Sequence, residues 1–273
     1  MFARLKIEKN QVDLLYKTIQ KDYNLRKKYK QISFDEEKLD VYKNLQLLVK
    51  GKNGVVDGDE LQKYVFPTGR NGDYDAFISH SHNDKEAAVI LASFLTSCCG
   101  LKVFLDSYVW KSADGLLRHI DDLYCKQDDG NYNYKRRNFS TSHVHAMLSM
   151  AIMDIIDKTD CCIFIDSKHS IALHNLKNSN KAQTLSPWLF EEIFMMKSLP
   201  RHLRRHLGEL KEFSKAVGVT REFAELEMVH GVDTGDFMPI DHSDLLQMEY
   251  DENGYWNLLT AYTHFMNKNQ LIV

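Results

Sequence analysis

Residues 74–106 read YDAFISHSHNDKEAAVILASFLTSCCGLKVFLD, and the order of patterns inside this run decides the fold. Tyr74 to Ser79 is a short run rich in strand-forming residues. Asn83, followed three residues later by Glu86, has the pattern of a capping box. Ala88, Leu91, Ala92 and Leu95 then recur at helical spacing, and Gly100 is placed to end the helix. LKVFLD, residues 101–106, follows as a buried strand closed by an acid. Strand, helix and strand in so short a span make a βαβ unit, which predicts a parallel sheet with helices over its faces.

Downstream, Lys126 to Ser142 is polar and reads as a long loop or insertion. Val144, Met147, Leu148, Ala151, Ile152 and Ile155 then mark one face of a strong helix. CCIFI, 161–165, is a third buried strand followed by the polar DSKHS. Ser186 and Pro187 suit the N-cap and first position of a helix carrying LSPWLFEEIFMM, 185–196. LEMV at 226–229 reads as a weaker strand and Tyr255 to Met266 as a final amphipathic helix. Upstream, the first seventy residues are rich in Lys, Glu and Leu. Val12, Leu15 and Ile19 have helical spacing there, and a short helix is expected from Asp59 to Val65. DGDE at 57–60 opens like a calcium loop, but Leu61 and Tyr64 stand where oxygen ligands or the loop glycine are needed. The expected organisation is an N-terminal helical extension and linker over 1–71, with PTGRNGD (67–73) as the joint. A main domain over 72–273 follows, with an insertion near 126–142 and a C-terminal helix. The fold class is α/β: three layers around a mostly parallel central sheet, flavodoxin-like.

The 273 residues are 44% hydrophobic and 27% charged with net charge −3, ordinary for a soluble globular protein and without the basic field that nucleic acid would need. The basic run PRHLRRHL, 200–207, reads as a solvated amphipathic helix. The start of the chain lacks the apolar core of a secretory signal, and Val144 to Ile156 is too short to span a bilayer and is broken by Asp154. The five cysteines form two adjacent pairs, Cys98–Cys99 and Cys161–Cys162, plus Cys125. That is no ordinary disulfide framework; buried, reduced thiols in a cytoplasmic protein are the simplest reading.

Open α/β sheets bind ligands outside the carboxyl ends of their strands. Three segments are expected to meet there: SHSHND (79–84), DSYVWKS (106–112) and SPWLFEE (186–192). Glu191 and Glu192 raise the sharpest question. On spacing alone they belong to a solvated helix face near the positive end of the dipole, yet Trp188 and Glu192, four apart, share a face. His80 and His82, with His143 and His145, alternate as metal ligands sometimes do, but no third ligand stands out and no metal is expected. A nucleophile elbow, a dinucleotide-binding glycine fingerprint and a phosphate-binding loop are all missing.

Taken in order, YDAFISHSHNDKEAAVILASFL, GLKVFLDSYVW, CCIFIDSKHS and SPWLFEEI resemble the Toll/interleukin-1 receptor (TIR) domain family over roughly residues 72–245, its bacterial stand-alone members most of all. Enzymatic members carry a glutamate four residues after a tryptophan, matched here by Trp188 and Glu192, with Leu189 where cysteine is usual. The resemblance implies cleavage of the nicotinamide–ribose bond of NAD, with NAD as substrate and no cofactor. Glu192 is then the catalytic acid, Trp110 and Trp188 wall the pocket, and Ser79, His80, Ser81 and Asp106 hold the nucleotide. It further implies self-association through a loop at about 106–116 and a signalling nucleotide read by a separate effector, as in the sensor half of Thoeris-type anti-phage defence. A non-catalytic TIR scaffold acting by self-association, and a nucleoside 2-deoxyribosyltransferase-like enzyme, are the competing readings.

Overall fold

The computed structural model describes residues 3–32, 56–66, 74–171, 182–199 and 230–247. The joint at 67–73, the basic run, the strand at 226–229 and the helix at 255–266 lie outside those residues.

The chain opens with strand β1 (Ala3–Glu8) and continues through helices α1 (Lys9–Lys21), α2 (Tyr23–Lys28) and α3 (Gly58–Val65). The βαβ unit follows as β2 (Ala76–Ser79), α4 (Lys85–Ser97) and β3 (Val103–Leu105). Then come α5 (Asp106–Tyr124), α6 (Tyr134–Lys158), β4 (Cys161–Asp166), β5 (Gln183–Thr184) and α7 (Pro187–Ser198). The described chain closes with β6 (His230–Gly231), β7 (Met238–Ile240) and α8 (His242–Leu246). The main sheet has five strands in the order β3-β2-β4-β1-β7, all parallel. Pro239, which has no N–H to give, sits in the edge strand β7, where a proline is tolerated. β5 and β6 form a small antiparallel pair.

Side-chain alternation along the strands feeds two cores, one on each face. Ile78, Ile163 and Ile7 join Val12, Leu15 and Ile19 of α1 and Leu91 and Leu95 of α4 on the first face. Phe77, Phe164 and Cys162 join helices α3, α5, α6 and α7 on the second. The three-layer α/β class is therefore observed. Gly100, at φ 72°, ends α4 in the left-handed region that a side chain would oppose, and its amide donates to the Thr96 carbonyl at 3.1 Å.

Four expectations need correction. The described residues of 1–71 are not a separate helical extension: β1 lies inside the sheet, paired in parallel with β4 on one side and β7 on the other. ARLKIE carries two cations, which disguises it as surface, but both are paired with distant residues. Arg4 ion-pairs with Asp236 at 2.7 Å and donates to the carbonyls of Lys197 and Leu199 at 3.1 Å each, while Lys6 stands 3.8 Å from Asp166. No loop follows β3; α5 begins at Asp106 itself. Most of the expected insertion is helix, since α6 starts at Tyr134, with the Asn133 side chain accepting from the Arg136 amide at 3.0 Å. Its polar residues are used against α5: Asp121 accepts from Ser140 at 2.5 Å and from Arg137 Nε at 3.0 Å. Finally, Asn83 caps nothing; His82–Asp84 form one turn of 3-10 helix and α4 starts at Lys85. DGDE, by contrast, is a helix start, the Asp57 carboxylate accepting from the amides of Asp59 and Glu60 at 3.0 Å each.

Candidate active site

β2 and β4 are neighbours whose chains leave in opposite directions. From β2 the chain runs over the first face through α4 to the edge strand β3, and from β4 it runs over the second face through α7 to the other edge, β7. The crevice between their carboxyl ends is the topological switch point of the sheet.

Ser79 is the last residue of β2 and, two past Phe77, it faces the layer of α7. On α7, Ser186 accepts from the Leu189 amide at 3.2 Å and Pro187 fills the first position, so the helix starts where its sequence predicts. Its inward stripe is Leu189, Glu192, Ile193 and Met196, spaced i, i+3, i+4, i+7. Glu192 is the charged member of an otherwise apolar stripe, 1% exposed, and not part of a solvated face. The Ser79 hydroxyl, itself fully buried, donates to Glu192 Oε2 at 2.6 Å across 113 residues of sequence. Burial without such a donor would cost a carboxylate several kcal/mol, on the order of its lost hydration.

The remaining expected site residues fall around this pair. His80 and Ser81 are buried in the backbone that leaves β2, rather than displayed on an open loop, and the Ser81 carbonyl accepts from the Asp84 amide at 2.8 Å. Ser79 serves Glu192 with the hydroxyl that was expected to hold the nucleotide. Trp188 is partly buried one turn before Glu192, edge-on to the His145 ring at 5.0 Å. That contact holds His145 in an apolar setting, and burial lowers its pKa below the ordinary 6.5 against a smaller opposing pull from Asp114. Glu191 is half-buried; burial raises its pKa, and a hydrogen bond from Ser149 opposes the rise. The backbones of Asp106 and Trp110 lie in the first turns of α5, and their side chains are outside the described set.

His143 sits edge-on to Phe139 at 4.5 Å, so it and His145 serve separate aromatic contacts. Among the described residues no group of three or more His, Cys, Asp or Glu is arranged to hold a metal. The five cysteines are buried and none is in a disulfide. Burial pushes Cys99 and Cys162 up to about 12, and Cys161 far above its ordinary value, so none of these three offers a thiolate.

Two further residues of the crevice carry no assigned role in the sequence, although Asp84 closes the SHSHND segment expected there. Asp84 is 1% exposed and accepts from the Ser167 hydroxyl at 2.5 Å. Ser167 follows β4 directly and opens a turn closed by Ser170, whose hydroxyl accepts from the Ser167 amide at 2.8 Å. The signal in the sequence was position: Ser167 directly follows a strand and Asp84 ends the turn that follows another. Compared with known protein families, curated proteins and solved structures, the chain finds no match.

Proposed function

We propose that this chain cleaves the bond between nicotinamide and ribose in NAD and releases an ADP-ribose-derived nucleotide. The observation that carries the reading is the buried Ser79–Glu192 pair at the switch point of the sheet. A fully buried carboxylate, oriented by a hydroxyl, is what an oxocarbenium-like transition state requires of its surroundings. The C–N bond breaks with its electron pair passing to the pyridinium nitrogen. Nicotinamide thereby leaves neutral, and neither a proton donor nor a metal is needed for its departure. The cation left at the anomeric carbon is stabilised by Glu192. Water captures it, losing a proton, to give ADP-ribose; a nucleophile within the same nucleotide gives a cyclic isomer, and a second molecule gives a conjugate. High-pKa thiols leave no competing nucleophile among Cys99, Cys161 and Cys162.

The same reading makes the protein a TIR-type cytoplasmic enzyme that self-associates and acts in anti-phage defence, its product read by a separate effector. Its test is NAD consumption with mass analysis of products, at high protein concentration, for wild type and E192A side by side. Nicotinamide release that falls at least about a hundredfold in E192A is the expected result. NAD left intact by wild type, even in cells where the intact system has been triggered, would sink the reading in favour of a scaffold.

A further inference from the structure

Asp84 stands where the 3-10 turn after β2 passes into α4. Its Oδ2 is bound by Ser167, at the exit of β4. β2 and β4 are adjacent and part at this edge, so a bond from one exit to the other crosses the crevice between them. The Asp84 carboxylate therefore lies in that crevice on the α4 side, while Glu192 enters from the α7 side. Its second oxygen, Oδ1, is buried and has no hydrogen-bond partner among the described residues. The side chain does not cap α4. Ser167 is held in its own turn, its Oγ accepting from the amides of His169 and Ser170 at 2.9 and 3.2 Å, so it is not free to swing toward Oδ1. A buried carboxylate oxygen fixed in place without a donor is costly by itself, and a ligand that brings a donor removes the cost.

Resting on NAD as the substrate, we infer that Asp84 is a second binding carboxylate of this crevice, accepting a hydrogen bond from a ribose hydroxyl. Ser167 is its positioning residue. A hydroxyl is the donor class that fits: it is neutral and compact. A metal ion would call for more ligands than the described residues gather here. The step is binding alone, with no bond made or broken.

The test uses the full chain carrying E192Q, so that affinity is read without turnover. Calorimetric titrations compare NAD with analogues lacking one ribose hydroxyl at a time. Adding D84N is expected to weaken NAD binding about tenfold or more, the size of a hydrogen bond to a charged acceptor. The analogue missing the hydroxyl that Asp84 accepts should show no further loss. Equal losses for NAD and every analogue would reveal a merely structural role and overturn the inference, as would no loss at all. If D84N abolishes the cooperative thermal transition, S167A carries the same comparison with the same expected selectivity for one analogue. In the wild-type background, D84N should raise KM while kcat stays within a few-fold. Turnover by wild type with unchanged D84N affinity removes the Asp84 role alone; no NAD binding and no nicotinamide release removes the enzymatic reading with it.

Discussion

The hydroxyl of Ser79 and the carboxylate of Glu192 illustrate how one residue's surroundings fix another's use. Glu192 lies in a stripe of Leu189, Ile193 and Met196, where a carboxylate needs a hydrogen-bond donor, and Ser79 supplies one to Oε2 at 2.6 Å. S79A should destabilise the fold by about 1–3 kcal/mol, because the buried carboxylate loses a donor, and, on the proposed function, should cut NAD turnover about tenfold or more through lost orientation. S79T keeps a hydroxyl and should recover part of the activity, though its extra methyl crowds a fully buried site. Denaturant unfolding and steady-state kinetics on the two variants separate these effects; an S79A protein with unchanged stability and turnover would mean the hydrogen bond does nothing. At this scale the sequence is informative up to a point. Spacing alone puts Glu192 on a solvated face, and it is the TIR resemblance that singles this residue out, whereas its partner, 113 residues away, is a contact no local pattern encodes.

Among the elements, α7 is held at both ends, and the hold at its far end comes from the first strand. Arg4, 8% exposed, gives its guanidinium to the last carbonyls of α7 and to Asp236, while Lys197 reaches Asp233 at 2.5 Å. A cation at a helix C-terminus both fills orphan acceptors and opposes the dipole. R4M keeps most of the buried stem but removes these donors; a loss of about 2 kcal/mol in a denaturant titration is expected. Stability left intact would show that water replaces the guanidinium without penalty. The α6–α7 contact carries a pH signature. His145 is neutral against Trp188, with its pKa lowered, so the unfolded chain takes up a proton that the folded chain resists. Stability from this group is thus present above the ordinary imidazole value and lost as pH falls below it. Melting temperatures of H145F should drop less than wild type between about pH 7.5 and 5.5; identical drops would refute the assignment. Helices and strands with clean apolar periods, such as α1, α4 and β4, are legible in the sequence alone. The start of α6 and the whole of β1 are not, because Asn133, Arg137 and Arg4 look like surface residues until their partners are known.

For the molecule as a whole, the position of β1 decides what can be removed. Ala3, Leu5 and Ile7 are at most 2% exposed, and β1 pairs residue by residue with β4 from Ala3↔Cys161 to Glu8↔Asp166. On its other side Leu5, Lys6 and Ile7 pair with Met238, Pro239 and Ile240, so β7 reaches the sheet through β1. Val12, Leu15 and Ile19 of α1, all fully buried, cover the first face above it. A division at residue 71, natural from composition, therefore cuts through the middle of the sheet. A chain of residues 72–273 would expose the inner edge of β4, strip β7 of its partner and open the first core, losses far larger than the roughly 5–15 kcal/mol of a typical folded domain. Such a fragment should show no cooperative thermal transition by circular dichroism at concentrations where the full chain shows one, and, on the proposed function, no nicotinamide release from NAD. A peptide spanning residues 1–32, added in excess, should restore part of the transition, because the missing strand and its covering helix are supplied together. A cooperative melt of 72–273 alone would mean that another segment fills the slot between β4 and β7, and would detach the first strand from the fold.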